Sequence, residues 1–447
     1  VISSVLIANR GEIAVRIARA CRNLGIGVVA VCSTEDRDSA VTRLADQVVH
    51  IGPPAPARSY LNAAAVIQAA LNSGADAIHP GYGFLSEDGD FAEACVESGL
   101  VFIGPPPDVL RRLAVKPTAR AAMAAAGLPL LPGTVEPLRD AEEARLAAAE
   151  VGYPLILKSA AGGGGRGMRI VRNPGSLATA FAETRASAQL LFGDGRVYLE
   201  RYLVGARHVE VQILCDAHSN GVHLGERDCS VQRRHQKLVE ESPAPGLSRS
   251  LISRMADDAV RGALAAGYVG AGTFEFLVAD EEYYFLEVNG RIQVEHPVTE
   301  MVCGIDLVEQ QLRIAAGACL GFTQNDIRPS GVAIECRINA EDPTRDFTPT
   351  AGRLTEFALP AGPFVRVDTH AYPGYRIPSS YDSLLAKLIV WAPNRETAIA
   401  RMRTALTELR VRGPGVHTTA DFLGSVLTNP RFVAAQHDTQ LLTPEAP

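Results

Sequence analysis

With 447 residues, 47% of them hydrophobic, the chain can bury several cores and is expected to hold about three domains. A formal net charge of −7 without a long basic run excludes a nucleic-acid binder, and the lack of any run of ~20 apolar residues excludes a membrane helix. The eight cysteines form no C-x-x-C pair and Cys21, Cys32, Cys95 and Cys303 sit among apolar residues, as expected of buried free thiols in a cytoplasmic enzyme.

No signal-peptide pattern opens the chain, although its start at Val1 leaves room for a removed organelle-targeting leader. The apolar run Val5 to Ala8 reads as a strand. It is followed by a helix in which Ile13, Ile17, Cys21 and Leu24 recur at helical spacing before Gly25 stops it. Val28 to Val31, Ala77-Ile78 and Val101 to Ile103 read as further strands, so the first unit is a parallel sheet flanked by helices. Its first turn, Asn9-Arg10-Gly11-Glu12, lacks G-x-G-x-x-G, which argues against a dinucleotide dehydrogenase.

Pro105-Pro-Pro107 marks a boundary, because three prolines continue neither a helix nor a central strand. Pro117 then suits the first turn of a helix running to Ala126. Tyr153 to Ser159 reads as a strand leading into Gly162, Gly163, Gly164 and Gly165. Backbone N–H groups of such a run can approach anionic oxygens, and with Lys158 and Arg166 nearby a phosphate-covering lid is expected.

Thr273 to Val278 and Tyr284 to Val288 flank the polar turn Asp280-Glu281-Glu282 and read as a hairpin. Alternation puts Glu287, Asn289 and Arg291 on one face, with Glu275 delivered from the neighbouring strand. Two carboxylates ~4 Å apart repel by about 4 kcal/mol at an effective dielectric near 20, so the pair calls for a cation, and all-oxygen ligands suit Mg²⁺ shared with phosphate. A solvated polar face with an Arg–Glu pair is the plainer alternative.

The last unit begins near Gly331. In Val332 to Asn339, Ile334, Cys336 and Ile338 face one way and Glu335, Arg337 and Asn339 the other, as a cleft wall or an exposed antiparallel face requires. Residues 394–410 read as an amphipathic helix, and Thr443-Pro-Glu-Ala-Pro447 as a linker or frayed end.

Five separated strings carry a family resemblance: Ala8-Asn-Arg-Gly-Glu-Ile-Ala14, His79-Pro-Gly-Tyr-Gly-Phe-Leu-Ser-Glu87, Gly162-Gly-Gly-Gly-Arg-Gly-Met168, Arg227-Asp-Cys-Ser-Val-Gln-Arg-Arg-His-Gln-Lys237 and Arg291-Ile-Gln-Val-Glu-His-Pro-Val-Thr-Glu300. Together they resemble biotin carboxylase, the ATP-grasp component of biotin-dependent carboxylases, over nearly the whole chain. The resemblance implies a multidomain fold mixing α/β and α+β. Residues 1–112 would form the N-terminal parallel α/β domain, residues 113–330 an ATP-grasp domain with a glycine-rich lid at about 131–204, and residues 331–447 a C-terminal mixed domain.

The implied reaction makes carboxyphosphate from bicarbonate and MgATP, then carboxylates N1′ of carrier-bound biotin. By this resemblance Glu275, Glu287 and Asn289 would hold two Mg²⁺ or Mn²⁺ ions. Lys116, Lys158, His208, Gln232 and His235 would surround ATP beneath the glycine lid, and Glu200, Arg201 and Leu203 would supply the adenine-binding strand. Lys237, Arg291 and Val294 would hold bicarbonate, Glu295 would be its base, and Arg337 would stabilise the enolate form of biotin. Tyr82, Gly83 and Gln293 would lie near the biotin ring.

Departures are local. Ala114-Val115 stands where the family commonly has Gly-Asp, removing a helix cap before Lys116, and Gly290 replaces a more usual Thr, which is expected to loosen that strand. Cys229 reads as a tucked-in structural thiol. None of the five methionines precedes a lysine, so the biotin acceptor is expected on a carrier domain or protein, and the three units leave no room for a carboxyltransferase component. A homodimer is expected from bacterial relatives. The final acceptor stays open among acyl-CoA (hence fatty acid metabolism), pyruvate and urea. Another ATP-grasp ligase of carbamoyl-phosphate or carboxyaminoimidazole type, and a nucleotide-binding regulatory subunit, are the competing readings.

Overall fold

The computed structural model describes residues 2–160 and 167–443. Gly162, Gly163, Gly164 and Gly165, Arg166, and residues 444–447 lie outside the described residues, and with them the expected phosphate-covering glycines and chain end.

The N-terminal unit holds a five-stranded parallel sheet in the spatial order Gln47–Gly52, Gly27–Ser33, Ser4–Ile7, Ala77–His79, Val101–Phe102. The helix Gly11–Asn23 buries Ile13, Ile17 and Cys21 against it, as the spacing predicts, and Gly25 follows at φ 71°. This core continues into Leu214, Ala271 and Leu307 of the next unit, so the two units share apolar packing.

An eight-stranded antiparallel sheet forms the centre. Its order is Glu282–Asn289, Gly270–Ala279, Arg207–Cys215, Gly221–Arg233, Gln236–Ser242, Val332–Asn339, Leu384–Ala392 and Val365–Thr369. Gln236–Ser242 pairs directly with Val332–Asn339, so one sheet runs through position 331, where the sequence suggests a new unit. A separate three-stranded sheet, Met168–Val171, Leu155–Ser159 and Val197–Arg201, carries the helices Ala141–Val151 and Leu177–Phe192 over its own core of Leu155, Leu157, Phe181 and Leu199.

One sequence expectation needs correction and one open alternative is decided. Cys303 is half-buried rather than a core position, its thiol reaching the Leu224 carbonyl at 3.2 Å. Of the two readings of the Val332–Asn339 polar face, the cleft wall holds for Arg337 and Asn339, which line the smaller cleft, and the exposed face does not, since Glu335 and Asn339 are buried.

Candidate active site

The hairpin Gly270–Ala279 to Glu282–Asn289 turns on two residues, Asp280 and Glu281, at φ 51° and 60°; Glu282 already pairs with Ala279. Two successive positive φ values match the right-handed twist of the strands. Glu275 pairs with Glu287 and Phe276 with Phe285, leaving Leu286 as a bulge. Without that extra residue, strict alternation would put Phe285 and Glu287 on one face. The bulge instead sends Phe285 to the core beside Phe274 and Phe276, and turns Glu287 into a cleft. The strand ends at Asn289, so Arg291 reaches the site from a turn. It bonds Asn289 Oδ1 at 2.8 Å and Glu87 at 3.0 Å.

The cleft is about 1340 Å³. Lys116, Lys158, Arg201, Leu203, His208, Gln232, His235, Lys237, Glu275, Glu287, Asn289, Arg291, Gln293, Val294, Glu295 and Arg337 all line it. His235 is placed at its edge by a second tight turn, Arg234-His235, at φ 49° and 67°. Glu200 does not line it; its buried carboxylate is taken by Lys158 at 2.5 Å and Arg120 at 2.7 Å.

Lys237 sits at the centre, 2.6 Å from Glu210, 3.0 Å from Glu275 and 2.7 Å from Glu295. Burial pulls its ammonium down, but the three glutamates outweigh burial and raise it well above its ordinary value. Burial likewise works against His208, yet Glu275, 3.1 Å from its Nε2, draws the imidazole above its usual value. Gln232 lies 2.9 Å from His208 Nδ1, which leaves Nε2 to face Glu275. Donor atoms of His208, Glu210 and Glu275 lie within 4.8 Å of one another, and Glu287 opposes Glu275 across the hairpin with Lys116 3.7 Å away. Asn289 Nδ2 donates to Glu275 at 2.9 Å.

A second cleft of about 560 Å³ is lined by Tyr82, Gly83, Arg10, Tyr381 and Asp382. Gln236, Val294 and Arg337 line both clefts, so the two meet there. Arg337 donates to Glu240 at 2.6 Å and Glu295 at 2.9 Å. Gln293, expected beside the biotin ring, does not line the smaller cleft, because its amide is engaged by Glu275 at 3.0 Å and Arg227 at 2.8 Å.

Both sequence departures are visible. Val115 caps the helix Lys116–Ala125 without any side-chain bond, as its residue type implies. Gly290 is not a point of looseness: its N–H donates to Glu87 at 3.0 Å, and a Cβ there would stand 2.9 Å from Leu110 Cδ2. Cys229 is fully buried, which pushes its thiol well above the usual range and leaves it unreactive.

Several contributors were missed by sequence reasoning. Glu210 follows His208 by two in a strand and shares its face, a readable signal. Glu87 and Arg227 lie within the quoted strings. Glu240, Arg120 and Lys387 gain their roles from pairing between distant segments, although a lysine inside the apolar strand Leu384–Ala392 is itself a flag.

Comparison with known proteins agrees with this geometry. Residues 1–110 match the family model "Biotin carboxylase, N-terminal domain", 116–323 "Carbamoyl-phosphate synthase L chain, ATP binding domain" and 335–444 "Biotin carboxylase C-terminal domain". The chain is 49% identical over 439 residues to a biotin carboxylase of a Nostoc species, covering 98% of each. It superposes with a TM-score of 0.96 at 47% identity on the biotin carboxylase–β,γ-ATP complex from Campylobacter jejuni, covering 99% of this chain and 98% of that one. Against the biotin carboxylase domain dimer of Hydrogenobacter thermophilus 2-oxoglutarate carboxylase, in complex with MgADP, ADP and bicarbonate, the TM-score is 0.94 at 44% identity, over 99% and 97% of the two chains.

Proposed function

The chain belongs to the biotin carboxylase family, and we propose that it activates bicarbonate with MgATP as carboxyphosphate and passes the carboxyl group to N1′ of biotin on a carrier domain or protein. The observation that carries this reading is the junction of the two clefts. Arg337 lines both, and Glu295 accepts from Arg337 on one oxygen and from Lys237 on the other. One carboxylate therefore touches the cations of both half-sites, as a reaction that hands a carboxyl group from one cleft to the other requires.

In this reading Lys116, Lys158, His208, Gln232 and His235 align the nucleotide, with the 201–203 segment against its base, and Lys237 and Arg291 hold bicarbonate beside the Val294 backbone. Glu275, Glu287 and Asn289 would hold Mg²⁺ or Mn²⁺, two ions being expected. The residues fit, since burial and the facing Glu275 push the Glu287 carboxyl up, as a carboxylate short of positive charge should be. Bound there, a divalent ion neutralises charge that builds on the transferring phosphoryl group.

Burial raises the Glu295 carboxyl, but Lys237, Arg337 and Arg227 hold it well below the ordinary range. A carboxylate so neutralised is a poor base at rest. When bicarbonate takes up the Lys237 charge, and the ureido oxygen of biotin that of Arg337, Glu295 regains basicity at the moment a proton must leave bicarbonate. Tyr82 and Gly83 form the biotin-side wall. A carboxyltransferase component would select the final acceptor, and the chain would work as a homodimer.

Labelled bicarbonate, MgATP and free biotin incubated with the purified chain should give carboxybiotin and ADP in equal amounts, faster when biotin is carrier-bound. Carbamoyl phosphate formed from ammonia without biotin would place the chain with the carbamoyl-phosphate enzymes instead.

A further inference from the structure

The side chain of Lys387 is completely buried in the strand Leu384–Ala392, beside Arg337 in register, yet it is not in either cleft. Its Nζ donates to the Val294 carbonyl at 2.8 Å and lies 3.2 Å from Glu12 Oε1. Glu12 belongs to the N-terminal helix Gly11–Asn23 and accepts the Tyr82 hydroxyl on the same oxygen. Asp368 is farther from Lys387, at 3.8 Å, and its carboxylate is already gripped by Arg366 at 2.9 and 2.7 Å. Glu12 is thus the carboxylate nearest Lys387, with Asp368 and the buried Glu335 also facing its charge.

Burying an ammonium costs several kcal/mol after relaxation, and an apolar side chain of similar volume would serve a packed core at least as well. What a methionine could not supply is a donor aimed at one backbone carbonyl. That carbonyl forms the peptide bond into Glu295, so fixing it fixes where the Glu295 chain starts. The partner carboxylate holds the Tyr82 hydroxyl on the opposite side.

We infer that Lys387 and Glu12 are a positioning pair for biotin carboxylation, setting the distance between the Tyr82 wall and the Val294-Glu295 backbone from two other segments of the fold. This rests on the reading above of Tyr82 and Val294 as lining the biotin and bicarbonate positions. Lys387 lies outside both clefts and Glu12 only borders the smaller one, so the pair acts through the Tyr82 hydroxyl and the Val294 carbonyl that it bonds.

The test compares Lys387→Met, Glu12→Gln and the double variant in the full chain. Lys387→Met strands the Glu12 charge and should lower the melting temperature. The double variant removes both charges and should regain most of that loss. It should still show a KM for free biotin raised about tenfold or more, a lowered kcat and unchanged MgADP affinity by calorimetry, since a small misplacement costs that much without touching the nucleotide end. Amide exchange of peptides spanning 290–296 should be faster in the double variant than in the parent. That measurement needs no turnover, so it judges the pair even if the parent does not carboxylate biotin. Recovery of biotin KM together with melting temperature, or unchanged exchange of the 290–296 segment, would reduce the pair to an ordinary buried staple and overturn the inference.

Discussion

Glu275 stands directly opposite Glu287 across the hairpin, and their carboxyls are driven in opposite directions. Burial raises both. Lys237 and His208 more than reverse it at Glu275, which ends well below the usual range, whereas at Glu287 the charge of Glu275 adds to burial and Lys116, 3.7 Å away, only partly compensates. The inner carboxylate is held by the protein's own cations and the outer one is short of positive charge, which supports the proposal that the pair shares a divalent ion.

Glu287→Gln should therefore remove metal-dependent turnover while sparing the fold. A loss of about 3 kcal/mol in transition-state stabilisation corresponds to about 100-fold in kcat. The melting temperature should hold, because Glu287 is only half-buried and packs no core. Mg²⁺ titrations of bicarbonate-dependent ATP hydrolysis check this, and a variant with the parent's rate and Mg²⁺ dependence sinks the assignment.

Glu295→Gln should separate binding from chemistry. Its carboxylate bonds Lys237 at 2.7 Å and Arg337 at 2.9 Å but does not contact Lys116 or Lys158. MgADP affinity by calorimetry should stay within about threefold, while bicarbonate-dependent hydrolysis falls by about 100-fold or more, the usual contribution of a positioned base. Loss of nucleotide binding in this variant would contradict the division of roles.

The strands Ser4–Ile7 and Val332–Asn339, the helix Gly11–Asn23 and the hairpin around Glu275 were legible because each is a local pattern of apolar spacing. The Leu286 bulge was not. Tyr284, Phe285 and Leu286 are all apolar, so alternation cannot say which of them the strand skips, and only packing of Phe285 against Phe274 and Phe276 decides it. Pairing of Gln236–Ser242 with Val332–Asn339 was equally hidden, since nothing local names the partner of an edge. The Glu240–Arg337 contact and the Lys387 buried seam exist only because of that long-range pairing and its neighbours.

Glu240 offers a pH test. It is fully buried opposite Glu335, and burial pushes its carboxyl from the usual 4.5 to about 7 despite the Arg337 contact. Below pH 4.5 the folded and unfolded chains both hold this proton; between 4.5 and 7 the unfolded chain loses it first, so the folded state loses stability as pH rises. Glu240→Gln mimics the protonated form and escapes that loss. The melting temperature of the variant minus that of the parent should climb through this window, with an effect of the order of 3 kcal/mol, and level off above it. A flat or falling difference in thermal melts across pH refutes the shift.

Arg227 is the strongest case for a structural residue beneath the site. It is completely buried, and all its N–H groups are used: Nε on Glu210 at 2.6 Å, Nη1 on Gln212 at 2.7 Å and Thr299 at 2.9 Å, Nη2 on Thr273 at 3.1 Å and Gln293 at 2.8 Å. The planar fork joins three strands to the helix His296–Cys303 and to the Gln293 turn, a geometry that a lysine's point charge cannot reproduce. Arg227→Met leaves the Glu210 carboxylate in the interior with Lys237 and the more distant His208, so it should cost about 3–5 kcal/mol, as breaking a buried pair does. Arg227→Lys should recover only part of this. Adding Glu210→Gln to Arg227→Met should restore stability more than either change predicts alone, the signature of two coupled charges. Urea unfolding of the parent, Arg227→Met, Arg227→Lys, Glu210→Gln and the double variant decides it, and additive losses would mean that Arg227 and Glu210 do not depend on one another.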